Sequence, residues 1–479
     1  MGLVQRVFPV ECGQFLENGA NRTSDAVVTG VFRSSSGVFC VTPTGGAIRS
    51  AAPVPASRGW SLAAIAVVAW AIGLQAVAQD HVGVFVTWPD DPTTGMIVNW
   101  VNLYPRNTRD VWFRAADADD ATEWRNARAE HLQLEPSALQ LRRVELTGLE
   151  PGTTYRFGIG DRPAKPRDGW RFRTMPARLD RPVRFVAGGD MMHDRESIDA
   201  MNRHAAGLEP DFAFLGGDLA YANGVSAMRW IDWLGSWTEA GAAADRRLIP
   251  LVVGIGNHEV RGGYDGEVPK DAPYYYGLFV RPGRRSYFAA DVGDYLSLVM
   301  LDSGHTQPVP GAQAEWLAGT LAAREERPFL FVSYHYPAYG TAKGPREGLP
   351  IDAPRSAEIR AHWVPHLERF GVSAVFEHDH HTYKRSHRLR QHARDDANGL
   401  LYLGDGAWGV GTRSVPTPEQ GWWLARAESR NHLWCVDLRP APTASDSPTA
   451  TIRAIDVAGD VFDEFELLPI RTRPVEPPR

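Results

Sequence analysis

An α/β domain preceded by a small all-β module is the organisation this 479-residue sequence predicts, and two patterns predict it. Past residue 183, short runs of Val, Phe, Leu and Ile alternate with helical stretches such as RESIDAMNRHAA and GAQAEWLAGTLAAREE. Runs of that length read as buried strands, and their alternation with helices is the layout of an α/β sandwich. Between 81 and 178 the pattern is instead alternating and turn-punctuated, as in VGVFVTW, GMIVNWV and DVWFRAA, which suits a small antiparallel β-sandwich. PARLDRP (176–182) reads as a linker, so the second domain is expected over 183–468. After Asn431 the runs HLWCVDL, ATIRAIDV and VFDEFEL predict a closing β-hairpin, and the Pro-rich tail from Pro469 is expected to fray.

The first 80 residues look like two things joined. Arg58 precedes an apolar stretch from Trp60 to Ala78 that closes with Ala76-Val77-Ala78, an A-x-A pattern before Gln79. This is the pattern of a secretory signal cleaved after Ala78, and it implies a secreted or periplasmic protein with no stable membrane association after cleavage. Such a signal belongs at an N-terminus, so translation is expected to start nearer Val54, at a non-ATG codon. The alternative is a membrane anchor formed by residues 60–78, because the run is close to the roughly 20 residues a bilayer needs. Cys12 and Cys40 precede the cleavage site, leaving Cys435 alone in the mature chain and no intramolecular disulfide there.

Composition is that of an ordinary globular protein, 43% hydrophobic and 23% charged. A net charge of -6 provides no basic field for nucleic acid. Of the sixteen Trp, six (Trp230, Trp233, Trp237, Trp408, Trp422 and Trp423) follow the segments described next, where they either wall a cleft or fill the core.

Five of the hydrophobic runs stop on groups that bind metals. RFVAGGD ends at Asp190, FAFLGGD at Asp218, VVGIGNHE at Asn257 and His258, FLFVSYH at His335, and SAVFEHDHH at His378 to His381. In open α/β sheets the active site lies beyond the carboxyl ends of the strands, so these groups converge on one rim. That many carboxylates and imidazoles are too costly to leave unpaired in a half-buried cleft, and two metal ions would satisfy them together.

The ordered blocks GGD (188–190), GDLAY (217–221), GNHE (256–259), YHYP (334–337) and EHDHHTYKR (377–385) resemble the calcineurin-like metallophosphoesterase superfamily. GDLAY with HTYKR is similar to its purple acid phosphatase branch, and LEPGTTYRF (149–157) resembles a fibronectin type III strand with Tyr155 as its buried corner tyrosine. The resemblance implies an α+β sandwich metallophosphoesterase fold behind a fibronectin type III-like domain. It also implies a metal-dependent acid phosphatase-like hydrolase of small-molecule phosphate monoesters; a phosphodiesterase of the same fold and a non-catalytic phosphate-binding or adhesion protein are the alternatives. The cofactors implied are two metal ions, Fe(3+) with Fe(2+), Zn(2+) or Mn(2+).

By the same resemblance Asp218 bridges the metals, Asp190 and Tyr221 bind one ion, Asn257 and His335 bind the other, and hydrolysis is in-line attack by hydroxide held between them. His258 faces the phosphate as a proton donor, with Glu259 placed to orient it. The family pattern is H-x-H closely followed by Tyr. By spacing it selects His378 and His380; counted back from Tyr383 and Arg385 it selects His381, with Asp379 as its partner, so His378, His380 and His381 all stand as candidate ligands. His193, separated from Asp190 by two residues where other branches have one between their Asp and ligand His, is expected on the substrate side. Lys343 and Arg346 stand after YHYP, where plant-type members carry further His, and are expected to hold phosphate oxygens.

Overall fold

A computed structural model describes residues 81–467, except 104–109, 120, 164–168, 263–268, 281–282, 342–349 and 444, together with the short strands Phe32–Ser34 and Gly37–Phe39. The apolar stretch 60–78, Cys12, Cys40, Lys343, Arg346 and the Pro-rich tail lie outside the described residues. The chain divides into two units, Met1–Val77 and Ala78–Arg479. In the first, the two short strands pair antiparallel.

The second unit is built on two large sheets. In one, the parallel strands Val183–Gly188, Phe212–Leu215 and Leu251–Val253 lie side by side. The closing segment adds His432–Arg439 antiparallel to Val183–Gly188, then Thr449–Asp456 and Val461–Leu467, each antiparallel to the strand before it, three strands where a hairpin was expected. The other sheet carries the parallel set Leu296–Met300, Phe329–Ser333, Ala374–Phe376 and Tyr402–Gly404. Alternate residues feed opposite sides: Phe185, Phe212 and Phe214 meet Phe331 and Phe376 between the sheets, while Val186, Ala213 and Leu215 join the core under the helices. Strands covered on both faces must be apolar throughout, which is why the runs read as continuous rather than alternating.

The all-β module shares the first sheet. Thr87, at the end of Gly83–Thr87, pairs in parallel with Leu251, so Gly83–Thr87, Met96–Asn102, Gln140–Leu146 and Glu130–Gln133 extend that sheet to ten strands. A separate four-stranded sheet, containing Thr154–Ile159 and Asp110–Ala115, completes the module. Tyr155 is buried there, and its hydroxyl accepts from the Glu150 N–H at 2.9 Å.

Helix Arg195–Gly207 begins at Asp194, whose carboxylate accepts from Ser197 N, and helix Ala227–Glu239 begins at Ser226, which accepts from Arg229 N. Trp230, Trp233 and Trp237 recur at helical spacing on the buried face of Ala227–Glu239. Trp408 and Trp423 are buried too, which leaves Trp422 as the exposed one of the six. These aromatics build core rather than cleft. Cys435 is buried in the His432–Arg439 strand. Among the described residues no helix is long and apolar enough to cross a membrane.

Candidate metal centre

The strand ends of both sheets deliver their polar residues to one rim, and the backbone there is unusual. Asp190, Asp218, Tyr221, Asn223, Asp379 and His381 all have φ between 50° and 73°, in the left-handed region that non-glycine residues avoid. Each such residue costs of order 1–3 kcal/mol, and clusters of them mark functional sites. Glycine makes the crowding possible at Gly406, where a Cβ would fall 1.7 Å from Asp190 Oδ2.

Two groups of donor atoms result. In the first, Asp190 Oδ1, the Tyr221 hydroxyl and His381 Nε2 form a triangle with sides of 3.1, 3.0 and 3.1 Å. In the second, His335 Nε2 lies 3.1 Å from Asn257 Oδ1, 3.3 Å from Asp218 Oδ2 and 3.8 Å from Asp379 Oδ1. Donor atoms of Asp190, Asp218 and His335 all lie within 4.8 Å of one another, which joins the groups at Asp218. Asp190, Asp218, His335 and Asp379 are at most 2% exposed.

The imidazole hydrogen bonds show which nitrogens face this cluster. His335 Nδ1 lies 3.1 Å from the Gly216 carbonyl and His381 Nδ1 3.1 Å from the Gly411 carbonyl. A carbonyl can only accept, so the proton sits on Nδ1 and the Nε2 lone pair points at the carboxylates, the outer-sphere arrangement of metal-binding histidine. A lone pair aimed at carboxylates is favourable only with a cation between them. In the absence of one, burial opposes charge on His335, but the Asp218 carboxylate overrides it and raises the imidazole to about 10. His335 reciprocally holds the Asp218 carboxyl far below its usual range despite its burial. A metal ion would take the place of that proton. Carboxylates, a phenol, an amide oxygen and two suitably protonated imidazoles, spaced as donors about 3–4 Å apart, fit two metal ions.

The remaining histidines differ. His258 lies beside the donors rather than among them: its Nε2 is 3.9 Å from Asp218 Oδ2 and its ring stacks on Tyr221 at 4.2 Å. Its Nδ1 meets Asn223 Oδ1 at 2.5 Å. The expected orienter, Glu259, is occupied elsewhere, accepting from Asp218 N, Leu219 N and Gly256 N at 2.7–2.8 Å. It ties the loops together, and burial followed by the neighbouring Asp218 charge raises its carboxyl to about 7. His193 is at the exposed edge, its ring 5.1 Å from Tyr221 and 5.7 Å from His381.

His378 turns inward, away from both groups: its Nε2 meets Ser333 Oγ at 3.1 Å, and a Cβ on Gly216 would fall 1.9 Å from that nitrogen. Burial, then the His335 charge, keeps it neutral. His380 has the opposite tautomer to the ligand histidines, because its Nδ1 accepts from Thr341 N at 2.8 Å. Its Nε2 therefore carries the proton and faces Asp379 Oδ2 at 3.5 Å. Three residues that sequence reasoning did not place also border the site: Asn223, Asp405, whose Oδ2 is 3.6 Å from His380 Nδ1, and Arg413, which donates to the Asp379 carbonyl and reaches within 3.5 Å of His381 Nε2. Asp405 closes the run LLYLGD, a sixth strand ending on a carboxylate and a signal that was available.

Residues 183–382 match the calcineurin-like phosphoesterase family, and residues 82–174 match the purple acid phosphatase N-terminal domain. The chain thus carries a calcineurin-like phosphoesterase domain behind a purple acid phosphatase N-terminal domain. It is 27% identical over 297 residues to purple acid phosphatase 15 of Arabidopsis thaliana, covering 55% of this chain and 53% of that one. With purple acid phosphatase 13 of the same plant it shares 26% over 322 residues, 57% and 56% of the two chains. The matched region thus spans little more than half the length of these relatives. The solved purple acid phosphatase PPD1 of yellow lupin (Lupinus luteus) seeds has the same fold, with a TM-score of 0.64 at 16% identity over 80% of this chain and 73% of that one.

Proposed function

We propose that this protein is an exported binuclear phosphoesterase that hydrolyses small-molecule phosphate monoesters. The observation that carries the reading is the pair of donor groups joined at Asp218, with His335 and His381 both presenting Nε2 lone pairs to buried carboxylates. Two bound metal ions would supply Lewis acidity toward the phosphoryl oxygens and a lowered pKa for a bound water. Asp190, Tyr221 and His381 would hold one ion, a trivalent iron suited to the hard phenolate oxygen; Asn257 and His335 would hold the other, with Asp218 serving both.

The chain's own contribution to turnover is proton transfer and orientation. Asn223 Oδ1 accepts the Nδ1 proton of His258, so Nε2 is left to exchange a proton at the face of the donor groups. There it can donate to the leaving ester oxygen as a general acid. The ring is held by its stack on Tyr221 and is only part-buried, so it can meet a substrate entering from solvent. His193 and the Arg413 guanidinium border the same opening and supply positive or hydrogen-bonding character for an anionic phosphate. The apolar stretch 60–78 with its A-x-A end supports export, and N-terminal sequencing of protein recovered outside the cytoplasm should begin at Gln79.

Turnover by metal-reconstituted protein of p-nitrophenyl phosphate and of bis-p-nitrophenyl phosphate tests the reading. Faster hydrolysis of the monoester is expected. Preference for the bis ester would assign a phosphodiesterase, and phosphate binding without turnover of either would make the protein a non-catalytic receptor.

A further inference from the structure

The second donor group departs from the H-x-H pattern of its family at one position. Counted back from Tyr383, the two places of that pattern fall on Asp379 and His381. The structure fills both places in the cluster: His381 Nε2 completes the triangle with Asp190 and Tyr221, and Asp379 Oδ1 faces His335 Nε2. The neighbouring histidines do not compensate. His378 is packed against Ser333, and His380 presents a protonated Nε2 to the second Asp379 oxygen.

Asp379 is held as a ligand would be. Its backbone N–H donates to Asp190 Oδ2 at 2.9 Å, and Arg413 donates to its carbonyl at 3.0 Å. Its side chain is buried between two imidazoles, His335 on one oxygen and His380 on the other. With His380 Nε2 3.5 Å from Oδ2, Oδ1 faces the second group, 3.8 Å from His335 Nε2. This is the carboxylate counterpart of the carbonyl contacts that orient His335 and His381.

Resting on the binuclear reading above, we propose that Asp379 is a ligand of the second metal ion and sets that ion's identity. With Asp379 in place of an imidazole, the donors of the second group are three oxygens, from Asp218, Asp379 and the Asn257 amide, and one nitrogen, from His335. Carboxylate and carbonyl oxygens suit manganese and other hard divalent ions, whereas imidazole favours zinc. The exchange also adds a negative charge to the centre, and the Arg413 guanidinium beside it is placed to offset that charge toward an incoming phosphate. The second site should therefore discriminate less in favour of Zn(2+) over Mn(2+) than a site with two imidazoles.

The full chain, loaded with iron and dialysed against equal Mn(2+) and Zn(2+), tests this by elemental analysis and the Mn(2+) electron paramagnetic resonance signal. Asp379→His should shift the bound Zn/Mn ratio toward zinc by about tenfold or more. Asp379→Asn keeps the shape and backbone contacts but removes the charge, and should weaken the second ion by about 10–100-fold without loss of iron. An unchanged metal ratio in Asp379→His together with undiminished affinity in Asp379→Asn would overturn the assignment. That result leaves two ions per chain in every form, whereas failure of the binuclear reading would show as fewer than two ions in the wild type.

Discussion

Asp190, Tyr221 and His381 bring one carboxylate oxygen, one phenol oxygen and one imidazole within 3.1 Å of one another, whereas Asp218, Asn257 and Asp379 gather at 3.1–3.8 Å around the single nitrogen of His335. The difference lies in how each group is supported. The first is knit by contacts among its own side chains, and the phenol can join only as a phenolate. Burial and the Asp190 and Asp218 charges push that phenol well above its usual pKa, so only a strong Lewis acid would ionise it. The second group hangs on backbone: Asp218 Oδ1 accepts from His258 N at 2.7 Å, and Glu259 pins the loops of Asp218 and Gly256. One half thus offers a buried phenol beside a carboxylate and an imidazole, and the other gathers carboxylate and amide oxygens around one imidazole.

The largest change that leaves both halves standing is expected at His258. His258→Ala should slow hydrolysis by roughly 10²–10⁴-fold with metal content intact, most for esters with poor leaving groups. Equal losses across a leaving-group series, or a lost metal, would remove it from the acid role. Asn223→Ala removes the Oδ1 partner of His258 Nδ1 and should cost about 10-fold, read as a lower kcat with a displaced alkaline limb in the rate profile, the limb set by loss of the acid's proton. If Asn223→Ala behaves as wild type at every pH, the tautomer argument fails.

Tyr221→Phe separates the halves spectroscopically. An iron-loaded wild type should absorb broadly in the visible through phenolate charge transfer, and the variant should be bleached while the second ion stays. A colourless iron-replete wild type would remove Tyr221 from the first half and return His193, 5.1 Å away, as its candidate ligand.

Much of this centre was legible because a strand buried on both faces has to end at the rim in a polar group, which is why Asp190, Asp218, Asn257 and His335 stood out. Residues 377–381 did not yield their register because the alternation rule fails where Asp379 and His381 adopt φ of 73° and 56°. The backbone there turns, so the inward pair follows the loop rather than the strand. Asn223 takes the role expected of Glu259 for a related reason: Glu259 is adjacent to His258 in sequence, but its carboxylate faces the buried N–H groups of two loops, and Asn223 reaches His258 from 35 residues away. The tryptophans near the ligand blocks went to the core because a helix with Trp at positions 230, 233 and 237 buries all three on one face.

The smallest expected effect separates acid failure of the fold from acid failure of the centre. Burial lowers the His432 imidazole to about 4, while an unfolded imidazole titrates near 6.5. Between those values the unfolded chain binds a proton that the folded chain refuses, so stability declines as pH falls from 6.5 toward 4. From pH 7 to 5 the loss is about 2 kcal/mol. Urea midpoints should therefore fall less over that interval in His432→Gln than in the wild type, and equal falls would locate the acid sensitivity elsewhere.

Asp218 is the residue on which both halves depend, with one oxygen beside His335 and the other held by His258 N. Elemental analysis of wild type and Asp218→Ala, purified and reconstituted alike, is the most direct test of a shared binuclear centre. Two metal ions per chain in the wild type, falling to one or fewer in the variant with hydrolysis abolished, is the expected result. Two ions retained in Asp218→Ala would contradict it.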